Sequence, residues 1–322
     1  MPRPLIIINN SAARVRHVWP LIKTELAAAK IEYDTYITSA VGDATVQTKR
    51  ALHAGTRLIV VVGGDGSLSE AAEGYFEFSA NSEQLPKPIN REAALAVLPA
   101  GTGDDFARGL VGQRAALNIW LKAFIAKLTE REHPTTRLID VLYGRSNGLQ
   151  TPFICLNAST MGIGGETASR VATQGRFMRR FSGEFRFLFA ALGALAVWRE
   201  RRVKVSIDGR LVSDGPMNLV AVANALYAGG GMMLSPDARL DDGKLDVVTA
   251  SGLSRANVIA ELSRVHKGGH VNNPKVNITQ GEIVVIETLM MQDAMLIEAD
   301  GNVRGVTPVR FEVMPSALQF LI

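Results

Sequence analysis

Residues Leu58 to Gly74 read LIVVVGGDGSLSEAAEG. Five apolar residues, four of them β-branched, run into Gly63, Gly64, Asp65 and Gly66, and a helix-compatible run opens at Ser67. The pattern predicts a buried strand, a tight glycine turn and a helix start. Glycines at such a turn let a ligand approach the backbone, and the unpaired N–H groups of a first helical turn attract an anion. Phosphate is the natural occupant. Standing alone, a GGDG is equally compatible with an ordinary strand-to-helix connection. Asp65 argues against that reading, since an acidic residue in a phosphate loop is a liability unless it orders the turn.

Working outward, Leu5 to Ile8 form a first strand ending in Asn9 and Asn10, and the apolar spacing of His17 to Lys30 predicts a helix, with Pro20 tolerable only near its start. Ile31 to Ile37 make a second strand closed by Thr38, and Asp43 to His53 a second helix stopped by Gly55. This β-α-β-α-β-α order predicts an α/β domain with a parallel sheet and ligand loops at the strand C-terminal ends. Ala94 to Leu110 (ALAVLPAGTGDDFARGL) repeats the design of apolar strand, glycine turn and polar helix start, with Thr102 as a hydroxyl donor. Residues 79–92 are polar and read as a surface loop, and Leu117 to Leu128 as a covering helix.

Beyond residue 135 short strands dominate, among them Thr136 to Tyr143, Pro152 to Asn157, Arg202 to Ile207, Asn218 to Ala223, Leu245 to Ala250 and Ala294 to Glu298. Turn residues between them predict a β-sandwich, interrupted by one helix from about Phe177 to Trp198. The expected domains are therefore 1–135 and 136–322, with the C-terminal tail returning to the first. Hydrophobic residues make up 47% and charged residues 20% of the 322, which excludes a disordered chain, and the net charge of +4 suits polyphosphate, anionic lipid or nucleic acid alike. A single cysteine, Cys155, precludes an intrachain disulfide. The four apolar residues near the N-terminus are too few for a signal peptide, and no stretch reaches the ~18 of a membrane span, so a cytoplasmic protein is expected.

Three stretches together resemble the lipid kinase family that includes bacterial diacylglycerol kinases and is related to sphingosine, ceramide and NAD kinases. The family's GGDGT-x-NE pattern corresponds to Gly63–Glu70, with Ser67 for Thr and Ser69 for Asn. Its LP-x-GT-x-NDFAR corresponds to Leu98–Arg108, with Asp104 for Asn, and its P-x-A-x-x-DDG to Pro236–Gly243. The resemblance implies an α/β domain and a β-sandwich with the site in the interdomain cleft. It implies ATP held by Thr38, Gly64, Asp65, Gly66, Ser67, Leu68, Ser69, Glu70 and Thr102, with Arg14 and Arg108 neutralising phosphate charge, and a network of Asp105 and Asp140 with water and magnesium. It also implies a Mg2+-like ion on the Asp242 side chain and the carbonyls of Arg239 and Lys244, and a lipid acceptor reached by peripheral membrane contact, with no nucleic acid partner. A metal-free DDG hairpin turn is the competing reading of that last loop.

The segment FMRRFSGEFRFLFAALGALAVWRERR, Phe177 to Arg202, places Phe181, Phe185, Leu188, Phe189, Leu192 and Leu195 on one helix flank, between arginines. It is compatible with a core helix, a lipid-tail lining or a membrane contact. The family's late DGE triplet, whose glutamate takes the acceptor proton, is here Asp300, Gly301 and Asn302. An amide cannot take that proton. If the strand ran straight on, Glu298 and Asp300 would share the face of Asn302, with Asp300 the nearer substitute. Three functions therefore compete: an ATP-dependent lipid kinase, a relative disabled at Asn302 that binds without turnover, and a NAD kinase. No G-x-G-x-x-G follows the first strand and no G-x-x-x-x-G-K-[ST] occurs, which disfavours a dehydrogenase and a P-loop enzyme.

Overall fold

A computed structural model describes residues 3–10, 12–79, 83–129, 135–146, 152–175, 177–178, 181 and 183–321. The chain divides into two compact units, residues 1–140 with 316–322 and residues 141–315. The expected boundary near residue 135 lies beside residues 130–134, which are outside the described set.

The first unit runs β1 (Leu5–Ile8), α1 (Ala13–Ala28), β2 (Asp34–Ile37), α2 (Asp43–His53), β3 (Leu58–Gly63), α3 (Asp65–Gly74), the two-residue strands β4 (Phe76–Glu77) and β5 (Lys87–Pro88), β6 (Ala94–Pro99), α4 (Asp105–Val111) and α5 (Leu117–Thr129). Strands β6, β3, β1 and β2 lie in that order and pair in parallel, and Gln319 and Phe320 near the chain's end add a further parallel neighbour to β6. Ile6 to Ile8, Ile59 to Val62 and Leu95 to Leu98 are buried, as strands covered on both faces must be. Because β2 and β3 flank β1 on opposite sides, the order in which strands are added to the sheet reverses between β1 and β3. That topological switch is where an open parallel sheet leaves a crevice at its C-terminal edge.

Three expectations need correction in this unit. The first helix begins at Ala13, so Pro20 is its eighth residue. Pro20 and Arg16 are both exposed, and the Arg16 carbonyl that a residue-20 N–H would have served lies on the solvent side, where the substitution costs least. The helix after GGDG opens at Asp65, not Ser67, and the stretch 79–92 contains β5, which pairs with β4.

Strand β7 (Thr136–Ser146) carries the chain into the second unit. There follow β8 (Phe153–Cys155), β9 (Ala158–Gly162), α6 (Ile163–Ala172), α7 (Gly183–Val197), β10 (Arg201–Ile207), β11 (Arg210–Met217), β12 (Leu219–Ala223), the short β13 (Tyr227–Ala228) and β14 (Met232–Met233), β15 (Leu245–Ala250), α8 (Arg255–Arg264), β16 (Val276–Gly281), β17 (Ile283–Thr288), β18 (Leu296–Ala299), β19 (Asn302–Val306) and β20 (Val309–Leu321), whose last residues return to the first unit. One antiparallel sheet has the order β16-β15-β12-β9-β18-β19, and a second includes β11-β10-β17-β20. Val203, Val205, Val284, Ile286 and Phe311 of the second pack against Met161, Val220, Val222, Val247 and Ile297 of the first, forming the sandwich core. The strand expected over residues 152–157 ends at Cys155, and β9 and α6 follow where no element was anticipated. The long helix is shorter than expected, and residues 176, 179, 180 and 182 at its start lie outside the described set.

Candidate nucleotide site and acceptor-side turn

The loops after β1, β3 and β6 meet at the switch point. Asn9 donates its backbone N–H to Val62 O at 3.1 Å and its side-chain amide to Ser67 Oγ at 2.7 Å. The Ala100 N–H reaches Gly63 O at 2.9 Å. At the centre the two glycine turns touch backbone to backbone: a Cβ on Gly101 would lie 2.5 Å from Gly64 Cα, and one on Gly64 would lie 2.9 Å from Gly101 Cα. Neither position tolerates a side chain, whereas a Cβ on Gly66 would meet nothing within 4 Å. The turn is thus tight on its inner side and open at Gly66, a shape that backbone N–H groups can present to an anion.

Asp65 locks the pair together. Its Oδ2 accepts the Asp105 N–H at 3.0 Å and its Oδ1 the Phe106 N–H at 2.9 Å, so the carboxylate of the first motif caps the helix of the second. This answers why an acidic residue stands in the loop. Gly64 to Glu70, Thr102, Asp105 and Arg108 are therefore gathered on one structure. Leu68 and Ser69 are wholly buried, backbone included, and pack inside the first unit. The Glu70 carbonyl accepts the Thr45 hydroxyl at 2.9 Å, tying α3 to α2. Thr38 sits at the end of β2, with its N–H and hydroxyl both directed at Ile8 O.

Asp104 adopts a left-handed backbone conformation (φ 51°), which asparagine and aspartate tolerate best. Its Oδ1 accepts the Gly101 N–H at 2.7 Å, while Oδ2 lies 3.4 Å from the Arg14 guanidinium and 4.0 Å from that of Arg114. Burial pushes the Asp104 carboxyl above its ordinary range; the Gly101 N–H opposes this, Asp65 adds to it, and the two arginines oppose it in turn. Arg14 also donates to Gly101 O at 2.7 Å and Arg114 to Thr102 O at 3.1 Å. Arg14 is thus seated on the second glycine turn by the extra negative charge, and Arg108 donates to Gly103 O at 3.4 Å. Neither Asn9 nor Arg114 was singled out from the sequence. The switch-point rule signals Asn9, since it ends the first strand, but Arg114 carries no local signal because its role depends on the Asp104 substitution.

Asp105 opens α4, and Asp140, on β7, accepts the Ser316 N–H at 2.7 Å. In the second unit, Asp242 Oδ1 accepts the Lys244 N–H at 3.1 Å and Arg239 pairs with Asp241 at 3.4 Å. The loop leads directly into β15 and is not paired as a β-hairpin. Among the described residues no group of three or more His, Cys, Asp or Glu is arranged for a metal, so an ion there would rely on Asp242 and backbone carbonyls. That all-oxygen donor set fits a hard divalent cation. His266 and His270 lie against the carbonyls of Gly231 and Leu234 respectively.

The strand expected over Ala294 to Glu298 is β18, Leu296–Ala299, and it does not continue straight on to Asn302 but turns. Asp300 (φ 46°) and Gly301 (φ 86°) form the two central residues of a tight hairpin in which Ala299 faces Asn302 and Glu298 faces Val303. Successive strand residues point to opposite faces, so Glu298 and Asn302 do not share one. Asp300 Oδ2 accepts the Leu156 N–H at 2.7 Å, and its Oδ1 accepts the Asn157 N–H at 2.9 Å and the Cys155 thiol at 3.3 Å. Its carboxylate anchors the β8–β9 connection, a poor position for a base. Glu298 is buried and accepts the Thr160 hydroxyl at 2.6 Å and the Gly301 N–H at 2.5 Å. Burial pushes it up from 4.5 to about 7. A carboxyl raised on folding holds its proton better in the native state, so its contribution is complete below about pH 4.5 and is lost as pH rises through about 7. Glu298→Gln is expected to remove that slope, read as a urea midpoint that no longer falls between about pH 5 and about pH 8.

Two sequence models of known families match the chain: the diacylglycerol kinase catalytic domain over residues 3–134, and the YegS C-terminal NAD kinase beta sandwich-like domain over residues 160–322, half of the chain. The chain belongs to the diacylglycerol kinase family. Diacylglycerol kinases of Bacillus subtilis (strain 168) and Staphylococcus carnosus (strain TM300) are 26% and 25% identical to it over 314 residues, covering 97% and 96% of this chain and 93% and 91% of theirs. A crystal structure of a diacylglycerol kinase from Bacillus anthracis str. Sterne superposes with TM-score 0.68 at 22% identity, over 99% of this chain and 96% of that one, a likeness of fold.

Proposed function

We propose that this member of the diacylglycerol kinase family is an ATP-dependent lipid kinase that transfers the γ-phosphoryl group to a hydroxyl of a diacylglycerol-like lipid. The observation that carries the reading is the contact of the two glycine turns, held by Asp65 across the N-terminus of α4. That arrangement supports binding of a polyphosphate by Gly64, Gly66, Ser67 and Thr102, with Arg14 and Arg108 as cationic neighbours. Magnesium supplies charge neutralisation when bound. Asp242 and the carbonyls of Arg239 and Lys244 would hold a hard cation on the second unit.

Asn302 favours a second reading, a relative that binds nucleotide and lipid with little turnover. Positioning and electrostatics supply most of phosphoryl transfer, and a general base about 10²- to 10⁴-fold, so slow catalysis is physically allowed without one. Incubation with γ-labelled ATP, Mg2+ and a panel of lipids, with NAD included, separates the readings. Labelled lipid supports the kinase. ATP binding without any labelled product supports the disabled relative, and labelled NADP would overturn both.

The Asp104 charge should weaken nucleotide binding, because it occupies Arg14 and Arg114 and itself repels phosphate. Asp104→Asn keeps the left-handed turn and the acceptor for Gly101. It is expected to tighten binding of a non-hydrolysable ATP analogue roughly ten-fold, about 1.4 kcal/mol, by calorimetric titration. No change, or weaker binding, would show that the arginines need Asp104 more than the phosphates need the arginines.

A further inference from the structure

Glu298 is a buried acid that the reaction does not use as a base. Its side chain and that of its cross-strand partner Thr160 leave the sheet on one face, opposite the face that sends Met161, Ile297 and Ala299 into the sandwich core. Helix α6 packs over them. A Cβ on Gly164 would lie 2.6 Å from the Thr160 hydroxyl oxygen, so the first turn of α6 rests on that hydroxyl and closes the carboxyl from water. An apolar side chain would fill the same space without the cost of burying an acid.

The hairpin turn supplies a reason for the acid. In a two-residue turn the flanking residues, here Ala299 and Asn302, pair across the ladder, and the N–H of the second turn residue has no ladder partner. That donor is the Gly301 N–H, and Glu298 Oε1 accepts it at 2.5 Å while Oε2 accepts the Thr160 hydroxyl at 2.6 Å. The first turn residue, Asp300, is fixed separately: its carboxylate holds the β8–β9 connection and its N–H reaches Ala158 O at 3.3 Å. Two carboxyls therefore pin the turn, and residue 302 follows it directly.

The two pins differ in how firmly they can hold. Burial is the main reason Glu298 keeps its proton up to about 7; the Thr160 hydroxyl and the Gly301 N–H favour the ionised form, and the Asp300 charge opposes it by less than either. Among the other groups around it, the Cys155 thiol on β8 is pushed well up, chiefly by burial, and the Arg304 guanidinium on β19 lies 5.6 Å from the Phe153 ring centroid. On α6, Glu166 and Arg170 pair with each other at 3.1 Å. Because the Gly301 N–H favours the carboxylate, the carboxylate by linkage grips that N–H harder than the acid does. Loss of the proton stiffens the turn.

We infer that Glu298 is a positioning residue for the acceptor-side turn, setting the place of residue 302 through the Gly301 N–H. Its effect on turnover rests on the lipid-kinase reading. With an amide at residue 302 the reaction depends on holding the lipid hydroxyl in place, so a firmer turn speeds it. The carboxyl is ionised above about 7, and kcat is expected to rise roughly five-fold between about pH 6 and about pH 8, the difference between a neutral and a charge-assisted hydrogen bond. Global stability falls over the same range, so the two trends have opposite signs.

The test follows the NMR resonances of the Gly301 N–H and the Asn302 side-chain amide against pH in the full chain, beside kcat with γ-labelled ATP, Mg2+ and a dispersed short-chain diacylglycerol. Both resonances and kcat are expected to share one midpoint at about pH 7, with the KM for ATP constant within about two-fold. Glu298→Gln keeps the shape and the acceptor; it should flatten all three responses and hold kcat at its low-pH level. Thr160→Val removes a donor that favours the carboxylate and should move the shared midpoint up, a shift that a merely space-filling Glu298 would not show. If Glu298→Gln does not fold, the Thr160→Val midpoint decides alone. Resonances that do not respond near pH 7, or that still titrate in Glu298→Gln, overturn the inference. Lipid phosphorylation whose rate ignores pH and both variants also overturns it and leaves the kinase standing. Resonances that titrate as expected in a chain that labels no lipid keep the hold of Glu298 on the turn and reject the kinase.

Discussion

Asn302→Glu is expected to raise kcat for lipid phosphorylation by about 10²- to 10⁴-fold, the usual contribution of a positioned general base. Asn302 opens β19 immediately after the Asp300–Gly301 turn, and its amide makes only a long 3.4 Å contact to Asp300 O. The carboxylate would replace a weakly engaged donor with a proton acceptor and disturb little else. Asp300 cannot substitute, since Leu156, Asn157 and Cys155 all donate to it. Because the proposed ATP-binding residues lie in the other unit, the KM for ATP should stay within about two-fold, and an Asn302→Gln control should gain nothing. Initial rates with γ-labelled ATP decide it. A native chain that already turns over at ordinary kinase rates, ~1–100 s⁻¹, and gains nothing from glutamate would show that residue 302 is not the proton acceptor.

The second large effect is expected from Gly101→Ala. A methyl group there would lie 2.5 Å from Gly64 Cα and 2.7 Å from Asp104 Oδ1, so the two glycine turns must separate by several tenths of an ångström or more. The strain falls on backbone, which cannot rotate away as a side chain can. Displacement of that order at a phosphate site costs on the order of 10²-fold, and we expect ATP affinity to fall by about that factor. The expected loss of global stability is smaller, about 1–3 kcal/mol for an overpacked position, so the protein should remain folded by circular dichroism while failing to bind nucleotide. Gly66→Ala, whose Cβ meets nothing within 4 Å, separates the cause: it should fold as wild type and lose affinity only if a ligand occupies the space over the loop.

The first unit was readable because its strands are continuous apolar runs and its turns are marked by glycine; α2 and the strand before GGDG required no tertiary information. Two features hid the rest. The sandwich strands β11, β19 and β20 carry Arg210, Asp214, Asn302, Arg304, Arg310 and Glu312 among their apolar residues, so their alternation is weak and their pairing comes from partners far along the chain. The turn at Asp300–Gly301 carries a motif resemblance that bears on chemistry and not on chain direction, whereas two residues at positive φ reverse the chain there. At the glycine loops the sequence identified which residues assemble but not the partner of each. Asp65 acts on the backbone of residues 105 and 106, forty positions away, and no local pattern encodes such a bond. For α7 the sequence supplied the periodic flank but not its direction, which was decided by the small face of alanines packing on α6.

The return of the chain's last residues also constrains how the protein is made. The edge of the first unit's sheet beside Ala94 and Leu95 is completed by Gln319 and Phe320, and Phe106 of α4 packs against Phe320 in a tilted arrangement with ring centroids 5.0 Å apart. A ribosome adding about 5–20 residues per second delivers that strand roughly 10–45 s after β6 has emerged. Through that interval the nascent α/β half waits with an open, apolar sheet margin while the sandwich is still being translated. Chaperones that mask exposed strand edges should therefore engage this polypeptide early, and release it only when the final segment arrives.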